Sequence, residues 1–75
     1  MKHLAYFSSR HTTKDGVTTW TSVYVDLTKI SYIEKVSDSI TKINIGGFKS
    51  IEVDTDFETV MKMWQKATRK RVVIL

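Results

Sequence analysis

The sequence predicts an α+β fold: an antiparallel meander sheet of about five strands with one C-terminal α-helix packed on one face. Three observations carry that prediction. A third of the residues are Val, Ile or Thr and proline is absent, an enrichment in β-branched side chains that favours sheet. Short β-branched segments alternate with Gly, Asp and Ser turn signals. Near residue 57 the apolar period lengthens from that of a strand to that of a helix.

The first strand is expected at about Lys2 to His11 and the second at about Val17 to Leu27. Between them, Asp15-Gly16 would suit a two-residue type I′ turn, whereas Lys14-Asp15-Gly16 would form a three-residue loop with Gly16 at positive φ. The two loops differ by one residue in register, and the register decides which side chains share a face. The three-residue loop pairs Tyr6 with Tyr24 and Arg10 with Trp20 on one face. It gathers Ala5, Phe7, Val23 and Val25 on the other. Because it separates aliphatic from aromatic and polar residues, it is the preferred reading.

After Asp26 the chain bends into a third strand, about Ser31 to Val36. The Ser37-Asp38-Ser39 turn follows, since short Ser and Asx side chains bond their own backbone. Residues 40–45 make a fourth strand, Gly46-Gly47 a hairpin turn, and residues 48–53 a fifth strand. Phe57, Val60, Met61 and Trp64 then fall at i, i+3, i+4 and i+7, one stripe of an α-helix from about Asp56 to Arg69. Thr55 and Glu58 have the spacing of a capping box, and Asp56 adds negative charge where the helix dipole favours it. Such a helix covers roughly one face of the sheet, over Val23, Val25, Ile33, Ile43, Ile51 and Val53. The opposite face, with Trp20 and Tyr24, is left for something else.

At 75 residues, the chain is expected to form a single domain, 1–75, with a small core. Without cysteine it has no disulfide and no thiolate zinc site, which suits a reducing compartment. No apolar run is long enough to span a membrane, and the N-terminus lacks the apolar core of a signal peptide. A cytoplasmic location is therefore expected. Lys and Arg exceed Asp and Glu by 12 to 8, for a net charge of +4 and a pI near 9.5. This tolerates an acidic partner, nucleic acid or protein, without marking a dedicated polyanion binder.

The residues Ile30, Ile33, Glu34, Asp38, Ser39, Ile43, Gly46, Val53, Thr55 and Glu58 form a recurrent arrangement. It comprises a hydrophobic-x-x-Ile-Glu element, an Asp-Ser turn, a strand ending in Gly, a second strand and a capped helix. Over residues 27–66 it resembles the FlbD/SwrD-type small motility proteins and similar short bacterial and phage accessory proteins. The longer, more aromatic N-terminal hairpin and the Arg69-to-Leu75 end depart from that pattern. The resemblance implies a non-enzymatic accessory protein acting through protein contacts, and it assigns no residue a function.

No catalytic constellation stands out. Ser8-Ser9 and Ser37/Ser39 lack the Gly-flanked elbow of hydrolases, and residues 46–50 lack the phosphate-loop spacing. His3 and His11 lie on one strand about 26 Å apart at about 3.3 Å per residue, too far to share a metal. Asp54 and Asp56 have the spacing of a carboxylate pair for a divalent ion, but helix capping accounts for them without one. The reading is not an enzyme, with no cofactor and no metal.

Functional content concentrates in Tyr6, Arg10, Trp20 and Tyr24. Tyr, Trp and Arg are preferred anchors at protein interfaces, so a protein partner, or self-association into a homodimer, is expected there. The alternative is a single-stranded nucleic-acid-binding protein that stacks bases on the same aromatic and basic face. A purely structural role is the remaining reading, with Trp20 packed under the C-terminal tail or a loop. A second contact region runs from Arg69 and Arg71 into Val72–Leu75, which would pair as an edge strand within this chain or in a neighbour. Membrane binding is not expected, because four apolar residues bury little area.

Overall fold

The computed structural model describes residues 4–46 and 49–69. Five strands and one helix follow the predicted order: β1 (Leu4–Thr12), β2 (Thr18–Asp26), β3 (Ile30–Lys35), β4 (Thr41–Ile45), β5 (Lys49–Val53) and α1 (Phe57–Thr68). The β1–β2 loop is the three-residue form. Thr13 N–H donates to the Val17 carbonyl at 2.9 Å and Gly16 N–H to the Thr13 carbonyl at 3.0 Å. Gly16 sits at φ +82°, which glycine reaches without Cβ strain. The register follows from that loop: Tyr6 lies opposite Tyr24 and Arg10 opposite Trp20.

All pairs of neighbouring strands are antiparallel, in the order β2-β1-β5-β4-β3. Consecutive strands neighbour one another, as in a meander, except β2 and β3, and the sheet is joined instead through β1 and β5. In a flat sheet four strand spacings would separate β2 from β3 by about 19 Å. The connecting turn, Leu27–Lys29, gives a reach of at most about 14 Å. The sheet must therefore curl, so that the end of β2 and the start of β3 approach each other. Asp26 fixes the sharp bend there: its Oδ1 accepts from Thr28 N–H at 3.0 Å and from the Thr28 hydroxyl at 2.6 Å. The curl was not foreseen, because pairing of the first strand with the fifth leaves no local mark in the sequence.

The core fills the concave side. Ala5, Phe7, Val25, Leu27, Ile30, Ile43, Val53 and Val60 are buried together. The six sheet residues expected beneath the helix all belong to this cluster or pack against it. The helix stripe is displaced by about one turn from the expected one. Val60, Met63, Trp64 and Ala67 pack into the core, because α1 lies against the Leu27–Lys29 turn and β3. Phe57 and Met61 are half-buried.

The helix cap also differs from the expected box. Asp56, not Thr55, is the N-cap, with its carboxylate accepting from Thr59 N–H at 3.1 Å and the Thr59 hydroxyl at 2.6 Å. The Thr55 carbonyl is taken by the buried Thr41 hydroxyl at 2.7 Å, which ties this residue to β4 and starts the helix one position later. Glu58 instead bridges to Lys62 at 3.2 Å. Arg69 ends the helix at φ +57°, the left-handed conformation common at helix C-termini.

Candidate functional site: the convex aromatic face

Side chains alternate across a strand, so the register sorts the sheet into two sides. Even-numbered residues of β1 and β2 share the convex side with Glu52, Lys42, Asn44, Tyr32 and Glu34 of the other strands. The three predicted aromatic residues lie there in the open: Trp20 is 48% exposed, Tyr6 59% and Tyr24 72%. Tyr6 and Tyr24 meet edge-to-face with ring centroids 5.5 Å apart, a favoured aromatic geometry. The Tyr6 and Ser22 hydroxyls are 2.7 Å apart, which holds the Tyr6 ring over β2.

Arg10 occupies the predicted place but not as a free cation. Its Nε and Nη2 both donate to Glu52 Oε1, at 2.9 and 2.7 Å. The pairs Trp20–Arg10, Arg10–Glu52, Glu52–Lys42 and Lys42–Glu34 form one row across all five strands. Along that row charge alternates in sign, from Arg10 to Glu34. Asn44 ties its far end, donating to the Tyr32 carbonyl at 3.4 Å and to Glu34 Oε1 at 3.3 Å.

Of the other predicted contact residues, Arg69 is exposed at the end of α1, where it joins Leu4, Leu27, Met63 and Ala67 around a hollow of about 710 Å³. The structure thus places Tyr6, Arg10, Trp20 and Tyr24 on one face as two cross-strand pairs, Tyr6–Tyr24 and Arg10–Trp20, with Ser8–Ser22 between them, and leaves Arg69 in a different place, with the helix. Arg71, and the strand pairing expected of Val72–Leu75, lie outside the described residues. Tyr32, 51% exposed, and the Glu52–Lys42–Glu34 row were missed. Only the alternation within β3 hinted at them, since their alignment with the hairpin depends on the β1–β5 pairing.

The fold changes the acidity of Asp56. Its carboxyl is held below the ordinary 3.8 by the Thr59 side-chain hydrogen bond, followed by the Thr59 backbone bond. It serves the helix cap. Among the described residues, no three His, Asp or Glu side chains gather as metal ligands, and no helix is long and apolar enough to cross a membrane.

No family model, no characterised protein and no solved structure matches the chain. The fold defines the class: an α+β protein whose described residues form a curled antiparallel sheet followed by one helix.

Proposed function

We propose that the protein is a small non-enzymatic binding module that engages another protein through Tyr6, Trp20 and Tyr24 on the convex face. One observation carries this reading: the large aromatic side chains Tyr6, Trp20, Tyr24 and Tyr32 stand exposed on one side of the sheet, while the helix takes up the other side. Aromatic area left in water is unfavourable by roughly 25 cal/mol per Å², and docking a partner removes it. Clustered Tyr and Trp are the side chains that dominate interface energetics. An accessory or regulatory role, of the kind the motility-protein resemblance implies, belongs to the same proposal.

Charge favours a protein over a single-stranded nucleic acid. Base stacking on aromatics needs neighbouring cations for the phosphates, and here Arg10 is engaged by Glu52 while Lys42 lies between Glu52 and Glu34. A partner that brings apolar and hydrogen-bonding groups suits this surface better than a polyphosphate chain does.

The test is affinity capture with the intact protein beside the Trp20→Ala/Tyr24→Ala double variant, with folding checked by circular dichroism. The expected outcome is a partner retained by the first and lost by the second. An unchanged set of partners rejects the proposal. Oligonucleotide binding that weakens steeply with salt, and is lost in the same variant, would replace it with the nucleic-acid reading.

A further inference from the structure

The two edges of the curled sheet are built differently. At one edge, β3 is six residues long, carries a register irregularity between Ile30 and Tyr32, and ends in Glu34-Lys35. Bulges and charges are the devices that keep an edge strand from pairing with another chain. At the other edge, β2 is nine residues long and regular in its register with β1. From Val17 to Val25 it has no charged residue and no proline. Residues Thr18 to Ser22, and Tyr24, are exposed.

Backbone alternation shows which groups β2 presents. The Thr13–Val17 bond makes the odd-numbered residues of β2 the ones that bond β1. The bond from Asp54 N–H to the Ser8 carbonyl at 3.0 Å fits the same alternation, directing the even-numbered residues of β1 toward β5. The N–H and C=O groups of Thr18, Trp20, Ser22 and Tyr24 therefore point away from the sheet. Among the described residues no strand pairs with that edge. The row ends at Tyr24, since Asp26 caps the following turn.

We infer that this edge is a strand-pairing site for a second copy of the same chain. Two β2 strands would run antiparallel about a twofold axis at Thr21, aligning Thr18 to Tyr24 of each. Three features favour an identical copy over an unrelated strand. A twofold axis at Thr21 pairs even residues with even, so every outward donor meets an outward acceptor. The strand is uncharged, so two molecules of net charge +4 approach here without like charges in the contact. Trp20 comes opposite Ser22 of the other molecule, which leaves the indole a small neighbour. The product is a continuous ten-stranded sheet whose convex aromatic faces run on from one molecule to the next. This goes beyond the proposed function, because the face can hold a partner whether or not the edge is paired.

The absence of cysteine in the sequence makes a clean test. Residues opposite each other on such an axis have Cα atoms about 4.5 Å apart, within disulfide range. The T21C variant of the full chain should therefore oxidise to a covalent dimer, whereas D38C, on a distant turn, should not. Sedimentation of the unmodified protein from about 1 µM to about 1 mM should show a concentration-dependent doubling of mass. Amide exchange should slow with concentration at Trp20, Ser22 and Tyr24 and stay constant at Thr19, Thr21 and Val23. S22K, checked for folding by circular dichroism, should stay monomeric. A monomer throughout, or a dimer in which those even-numbered amides are unprotected, overturns the inference.

Discussion

The β1–β2 hairpin and the β3–β5 meander belong to one sheet, yet they are held together in different ways. Every residue from His11 to Ser22 is exposed, and the hairpin's buried residues, Ala5, Phe7 and Val25, lie at its base. Its outer part is organised by a three-residue loop and by cross-strand pairs such as Thr12–Thr18, whose hydroxyls are 3.2 Å apart. The meander, by contrast, is organised by burial: Ile43, Val53 and the helix residue Val60 are inaccessible to solvent. Most of the apolar stabilisation therefore lies in the meander and helix, which leaves the hairpin surface available for contacts.

The largest effect should come from removing a meander core side chain. Ile43→Ala is expected to cost about 2–5 kcal/mol through lost transfer energy and an unfilled cavity. Measured by urea unfolding, it should lower the midpoint strongly, while Trp20→Ala on the exposed hairpin stays within about 0.5 kcal/mol. Comparable losses for the two would show that the hairpin is as much a part of the stability core as the meander.

A smaller effect should appear where the two regions meet. The β1–β5 register covers Ser9–Val53 and Arg10–Glu52, and the Arg10–Glu52 ion pair is partly exposed. Glu52→Gln should cost about 0.2–1 kcal/mol, and added salt should reduce the difference from the parent. A salt-independent loss would point to packing at Glu52 in place of charge.

The smallest effect concerns the helix cap and depends on pH. Because the fold lowers the pKa of Asp56, its contribution is present above the ordinary carboxylate value and is lost as pH falls through the lowered one. Asp56→Asn should be less stable than the parent near neutral pH, and the two thermal midpoints should converge in acid. A gap of constant size from neutral to acid pH would remove the ionised carboxylate from the account of the cap.

Much of the fold was legible because its signals are local. Gly16 with its polar loop neighbours set the hairpin register, and the register alone sorted Tyr6 and Tyr24 from Phe7 and Val25. The lengthened apolar period after Asp56 marked the helix, although the cap and the buried stripe each moved when tertiary contacts formed. The convex row Arg10–Glu52–Lys42–Glu34 was not legible. Its members come from four strands, and their alignment requires β1 to meet β5.

By itself, then, the sequence determined the elements, the hairpin register and the aromatic identity of the exposed face, since each depends on neighbours a few residues apart. Tertiary structure alone decided that the sheet curls, that Arg10 is ion-paired with Glu52, and that β2 is an edge strand among the described residues. Those outcomes rest on pairing between residues more than forty positions apart, where the entropy of closing a long loop is offset only once the shared core has formed.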